Sequence, residues 1–318
     1  MKMFRFAVLG VACAQPLVAC DLCSVYAANE ARGEIGRGFF AGVAEQFTHF
    51  GTLQEDGHKV PNDANQSLDS SITQLLLGYN FNERFGLQVS VPIIHRSFQR
   101  ADGFDIDRGT ESGLGEVSLF GHAQLVRRES KNGTFAWNIL GGVKFPTGST
   151  RRLHEEVDEL NAVEVEGAPE SGIYGHDLTL GSGSFDGIVG TSVFARYKRA
   201  FIGASAQYSI RTKGDFGYQF ANDLTWSGGP GVLLILKDRS TLSLQANVSG
   251  ETKGKDDFNG GKADDTGITS VFLGPEILFT WRDKLSAELG VDMPLSFDNT
   301  ALQSVPDWRV RAALTWHF

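Results

Sequence analysis

The stretch Val305-Pro306-Asp307-Trp308-Arg309-Val310-Arg311-Ala312-Ala313-Leu314-Thr315-Trp316-His317-Phe318 decides the fold class. Trp308, Val310, Ala312, Leu314, Trp316 and Phe318 fall on one face. Arg309, Arg311, Ala313, Thr315 and His317 fall on the other. A period of two is the geometry of a strand whose faces meet different solvents. A soluble sandwich also alternates, but its buried face seldom ends on an exposed terminal Phe. A strand that faces lipid on one side and a polar lumen on the other fits both features.

Residues 285–295 and 242–249 repeat the pattern. Twelve such segments follow one another, near 38–52, 69–82, 85–98, 114–128, 133–147, 184–197, 200–212, 219–236, 240–250, 267–281, 284–296 and 305–318. The first two are the weakest, because Glu45 and Gln74 interrupt them. Short connections (82–84, 129–132, 198–199, 237–239 and 282–283) alternate with longer polar ones (53–68, 99–113, 148–183, 213–218, 251–266 and 297–304). That is the layout of an all-β, transmembrane, antiparallel up-and-down barrel of about twelve strands, with short periplasmic turns and longer external loops. An even strand number puts both termini in the periplasm, and strand 12 must close on strand 1. Aromatics near strand ends, among them Phe81, Phe85, Trp137, Tyr197, Phe201, Trp281 and Trp316, predict interfacial girdles.

Composition agrees. Gly is 38 of 318 residues, Phe 23 and Cys 3, with 21% charged and 41% hydrophobic positions. No stretch after the first twenty residues is long and apolar enough for a transmembrane helix. A net charge of -9 argues against nucleic acid, whose phosphates need a basic face.

Gly113-Leu114-Gly115-Glu116 followed by Leu119, Lys144-Phe145-Pro146-Thr147-Gly148, and Leu180-Gly181-Ser182-Gly183-Ser184-Phe185-Asp186 form three glycine-rich motifs. In them the chain resembles the outer-membrane transporter-like family named for the MetA pathway of phenol degradation. The family usually has Asp at the position of Glu116. The resemblance covers most of the mature chain. It implies a twelve-stranded barrel of small-molecule transport and brings no defined catalytic or ligand-binding residues. The motifs also have a local reading. Pro146 ends a strand where no ladder donor is needed, and Gly181 and Gly183 let the third long loop turn back into the barrel.

Residues 1–19 read as a signal peptide with two possible ends: ordinary cleavage at Ala12-Cys13-Ala14, or a lipobox that would lipidate Cys20. Residues 20–36 are a periplasmic segment, and 37–318 the barrel. Cys20 and Cys23 form a C-x-x-C pair. Ser24 stands where a c-type haem site needs His, which leaves lipidation, an exported disulfide, or a metal or redox role.

The polar strand faces predict a lumen lined by Glu116, His122, Lys144, Asp186, Arg196, Gln207, Arg211, Glu276, Glu288, Asp292, Arg309, Arg311 and His317. Phe120, Leu140, Ile188, Phe194, Phe272 and Leu278 point the same way. Paired charges that brace a narrow barrel are one reading. A path for a small amphipathic or aromatic solute is the other. The carboxylates of 154–165, Asp256-Asp257, Asp264-Asp265 and His176-Asp177 read as solvated loop residues. Divalent-cation bridging to lipopolysaccharide is the second reading for the acidic runs. No G-x-S-x-G or catalytic constellation is evident, with His95 beside Ser97 at the rim the nearest approach, so no enzyme and no cofactor are expected. The partners expected are outer-membrane lipid and lipopolysaccharide, a small solute, and the barrel assembly machinery, with Phe318 as its recognition residue. The function expected is an outer-membrane channel or transporter for small solutes, hydrophobic or aromatic ones included. The alternative is a non-conducting scaffold whose N-terminal C-x-x-C segment binds a periplasmic partner or metal.

Overall fold

A computed structural model describes residues 37–159, 166–237, 239–282 and 284–318. The signal, Cys20, Cys23 and the rest of 20–36 lie outside the described residues.

Twelve strands form one closed antiparallel barrel: β1 (Gly38–Glu55), β2 (Ser67–Asn80), β3 (Phe85–Asp102), β4 (Ser118–Ser130), β5 (Gly133–Lys144), β6 (Asp186–Tyr197), β7 (Ala200–Ile210), β8 (Asp223–Lys237), β9 (Ser240–Lys253), β10 (Ile268–Trp281), β11 (Leu285–Asn299) and β12 (Leu302–His317). Each strand pairs with its chain neighbours, and β12 closes on β1 from Phe40↔His317 to Glu55↔Leu302. The twelve-strand wall therefore has no open seam.

The two wall faces are inverted relative to a soluble protein. Gln46, Thr48, Gln74, Asn80, Gln88, Gln207, Asn247 and Asp292 are buried, while Leu77, Ile93, Ile202, Leu289, Val291 and Leu314 are exposed. An apolar outer belt around a polar interior is stable only against lipid. Polar side chains inside meet one another and lumen water, which hydrogen bonding requires. The belt has aromatic rims, with Phe39, Tyr79 and Phe81 packed edge to edge at the short-turn end. Phe201 departs from the expected girdle: it is buried in the lumen beside Leu233 and Leu278. Its inward position follows strand parity, since Ile202 holds the outward place.

Several predicted loops are strands. β3 continues to Asp102, turns at Gly103 (φ +59°), and pairs with Asp105–Leu114 as a projecting hairpin. β11 and β12 are joined by Thr300 and Ala301 alone. The connections after β7 and β9 contribute Tyr218–Gln219, Asp257–Phe258 and Gly261–Lys262 to a three-stranded cap, so β8 starts at Asp223 rather than near 219. Polar composition marks where the chain leaves lipid, but the backbone there still needs partners, and continued pairing supplies them.

The third long connection is not a solvated loop. Its described residues carry the short helices α1 (His154–Glu159) and α2 (Gly175–Leu178) and fold into the lumen. Ile173 and Leu178 pack on Leu68 and Phe98, and Leu180 packs on Ile72 and Ile94. This plug explains the irregular second segment: Leu68, Ile72 and Leu76 face inward to meet it or the lumen, so Ser71 and Thr73 face outward. Glu45 joins them on the outer wall. It accepts hydrogen bonds from Ser71 Oγ at 2.6 Å and Thr73 Oγ1 at 2.5 Å. Its register partner on β12 is Ala312, midway between Trp308 and Trp316. Further up the same wall, His49 Nδ1 lies 2.6 Å from Asp69 Oδ1.

Candidate functional site: a plugged lumen

Every charged position expected on the polar faces points inward, and most of them gather in two clusters. The first sits where the three glycine-rich motifs converge. Lys144 is bonded to Glu116 and lies 2.7 Å from Asp186. Asp186 in turn is 3.1 Å from Arg211, which also holds Asp223. Glu116 accepts from the Ser182 amide at 2.8 Å and its hydroxyl at 2.7 Å. The plug is thereby tied to the wall by the same carboxylate that neutralises Lys144. Thr147 of the second motif donates to the Gly115 carbonyl at 2.7 Å. Gly148 and Gly181 approach so closely that a Cβ on Gly181 would stand 2.7 Å from the Gly148 carbonyl oxygen. Gly183, at φ +73°, makes the turn into β6. Asp223 escaped sequence reading because it lies at the start of β8, inside a segment whose alternation is broken by glycines.

The second cluster lies across β10, β11 and β12. Arg311 reaches Asp292 at 2.8 Å, Glu276 at 3.3 Å and Glu288 at 3.5 Å. Arg309 reaches Asp292 at 3.0 Å and Ser249 Oγ at 2.8 Å, and stacks over Phe272 at 4.3 Å. Gln46 and Thr48 of β1 register opposite Arg311 and Arg309. Strand tilt brings Glu276 and Ser249 within reach of β12, although they lie on strands that do not pair with it.

His122 and Arg196 join neither cluster. Both ring nitrogens of His122 lack a partner among the described residues, and the ring lies against Gly86. Arg196 donates to Thr134 Oγ1 at 2.9 Å and to the Lys198 carbonyl at 3.0 Å near the short-turn end. His317 packs on Phe40 at 5.4 Å.

The plug has its own latches, which sequence reading missed. Arg96 on β3 donates to the carbonyls of Asp177 and Thr179, each at 2.6 Å. Glu111 on the projecting hairpin accepts from Arg151 at 2.8 Å and Arg152 at 2.7 Å. His176, expected to be solvated, is buried against Glu156 at 3.0 Å and stacks between Tyr174 and Tyr218. Burial alone would lower its pKa. The carboxylates of Asp177 and Glu156 outweigh that and push it up to about 10. Burial raises the Glu156 carboxyl, but His176 prevails and holds it below its usual range. Two further acidic loop residues are also engaged. Glu155 meets Arg100 at 2.9 Å, and Asp256 is buried against Lys253 and the Tyr218 hydroxyl, both at 2.7 Å. The apolar residues Ile173, Leu178 and Leu180, in an otherwise polar connection, were the available signal for the plug.

A chain with an apolar outer belt, closed strand pairing and a polar, plugged interior is a bacterial outer-membrane β-barrel. Comparison of folds agrees. The crystal structure of an outer membrane channel from Pseudomonas putida F1 superposes with a TM-score of 0.62 at 14% identity, covering 89% of this chain and 97% of that one. The β domain of the Bordetella autotransporter BrkA gives 0.45 at 10% identity, over 89% and 100% of the two chains. The translocator domain of the Neisseria meningitidis autotransporter NalP gives 0.43 at 11%, over 92% of each chain. The first likeness shows a shared fold, and the other two carry no further argument. No protein-family profile and no curated protein sequence matches the chain.

Proposed function

We propose that the protein is an outer-membrane channel for small solutes with an apolar or aromatic body, entered through a mouth that the described parts of the plug, 148–159 and 166–183, occupy at rest. The observation that carries this reading is the mixed lining. Phe120 and Ile188, with Leu140 beside them, form an apolar patch inside a lumen whose charges are mostly paired. A lining of this kind lowers the cost of an apolar solute. The resemblance to the MetA-pathway family, with its small-molecule transport, supports the same reading, and we read the chain as having no enzymatic role.

Reconstituted barrel should give solute-dependent liposome swelling with small aromatic solutes. Arg96→Ala, which frees two plug carbonyls, should raise ionic conductance. A bilayer silent for wild type and variant alike, with no solute flux, would overturn the channel. The packed contacts of Ile173, Leu178 and Leu180 favour a second reading, a barrel that stays shut and serves as a scaffold. Its proposed partner site is the 20–36 segment, with a periplasmic protein or a metal bound at the C-x-x-C pair. Pull-down that fails on deleting 24–36, with no conductance, would favour it.

A further inference from the structure

The short-turn end of the lumen holds a cavity of about 320 Å³ that the paired-charge clusters do not reach. Its base is apolar: Phe201, Leu233 and Leu278 are buried there, with Phe194 packed against them. Hydroxyls of Thr134, Thr241 and Thr280 line its sides. Two β-bulges shape the opening. On β4 the register shifts between Gln124 and Val126, after which Arg127 and Glu129 fall on the inward face with Ala136 and Thr134. On β8 it shifts between Leu233 and Ile235, which turns Leu236 inward opposite Thr241. Without these extra residues, the three side chains would point to the membrane.

The charges of the cavity do not cancel. Arg127 is held by Glu129 at 2.8 Å. Arg196 meets only neutral oxygens, Thr134 Oγ1 and the Lys198 carbonyl, and no carboxylate among the described residues. Elsewhere in the lumen Lys144, Arg211, Lys253, Arg309 and Arg311 each have a carboxylate partner, and Arg96 is spent on two plug carbonyls. The three short turns that join the lining strands add exposed Lys131, Lys198, Arg199, Lys237 and Arg239, against the single acid Asp238 in their sequence. A half-desolvated guanidinium beside an apolar base, at a rim where basic residues outnumber acidic ones, is complementary to an anion that carries an apolar body.

We infer that this cavity is a binding site for a small monoanionic amphiphile, a carboxylate or phenolate on an aromatic or short aliphatic body. The anion lies against Arg196, and the body against Phe194, Phe201, Leu233 and Leu278. The inference rests on the channel reading and adds an exit-side site that would select charged solutes over neutral ones.

Direct binding separates the two ideas. Isothermal titration of the purified full barrel in non-ionic detergent would compare 2-naphthoate, its neutral analogue 2-naphthylmethanol, and acetate. Naphthoate should bind about tenfold more tightly than the alcohol, the worth of one charge-assisted hydrogen bond, and acetate should not bind measurably. Arg196→Gln should abolish the preference for the acid and leave the alcohol's affinity in place. Arg196→Lys should retain most of the preference. Equal affinity for acid and alcohol, binding of neither, or a preference that survives Arg196→Gln would overturn the site. Naphthoate flux into liposomes is the separate arm. Flux that persists without the binding preference keeps the channel and removes the site, whereas binding without flux through wild type keeps the site and removes the channel.

Discussion

Arg311 is the residue on which most of the second cluster depends. It is buried, and three carboxylates from β10 and β11 converge on it. Arg311→Ala leaves Asp292 with Arg309 but strips Glu276 and Glu288 of this partner. Removing one member of a buried ion pair costs about 3–5 kcal/mol, against about 0.2–1 kcal/mol for an ordinary cross-strand pair. Arg309→Ala removes a smaller share, since Asp292 keeps Arg311. Heat-modifiability on gels should therefore fall markedly for Arg311→Ala and less for Arg309→Ala, and equal effects would contradict the shared-partner geometry. Both should shift ion selectivity towards cations in planar bilayers. Glu45 poses the opposite case. A carboxylate at the middle of the lipid belt is expensive even with two hydroxyl donors. Glu45→Val should raise barrel stability in detergent and in lipid, as read by the denaturant midpoint.

At the scale of elements, the plug is held by an ion pair whose charge depends on pH. His176 is raised from its ordinary 6.5 to about 10, so its stabilising contribution is complete below 6.5 and gone once pH passes about 10. Glu156 is lowered, so its contribution is present above the usual carboxylate range and is lost on acidification through its depressed pKa. Lys253, Tyr218 and Asp265 face the same pair. Asp265 is raised by burial and by Glu156 and Asp177, so it protonates early and relieves repulsion as pH falls. The hydrogen-exchange protection factors of α1 and α2, taken relative to the intrinsic rate at each pH, should be highest in the mildly acidic to neutral range and lower towards pH 10. His176→Gln should flatten the alkaline limb, and an unchanged limb would show that the pair does not hold the plug.

β12, the last of the strands, ends beside β1, where the Phe318 amide donates to the Phe39 carbonyl at 3.0 Å. If Phe318 is the recognition residue for the assembly machinery, Phe318→Asp should lower the folded form in the membrane while leaving refolding in detergent largely intact. The twelve strands were legible because lipid imposes a strict period of two on Trp308–Phe318 and its counterparts. The inward direction of Lys144, Asp186, Arg309 and Arg311 follows from that parity. The plug and the cavity were not legible. Parity says nothing about a connection that refolds into the lumen, and it is reset by the bulges after Gln124 and Leu233. Arg127, Glu129 and Leu236 thus enter the cavity against the phase of their own strands.

At the scale of the whole molecule, the outer belt is uneven. On β11 the outward apolar run extends from Leu285 to Leu295, and on β12 from Trp308 to Phe318. On β2 it covers only Leu75 to Phe81, because Ser71 and Thr73 with Glu45, then His49 and Asp69, take the outward positions above. A bilayer cannot match both heights with the barrel upright. It must thin against β1 and β2, or the barrel axis must lean so that this side dips less deeply into hydrocarbon. Leaning is resisted by the aromatic rims and thinning by lipid packing, so the balance depends on acyl length. Brominated lipids should quench Trp308 and Trp316 to different extents in thick and thin bilayers, and Glu45→Val should reduce that difference. The plug, by claiming the inner faces of Leu68, Ile72 and Ile94, thus determines how the protein sits in its membrane.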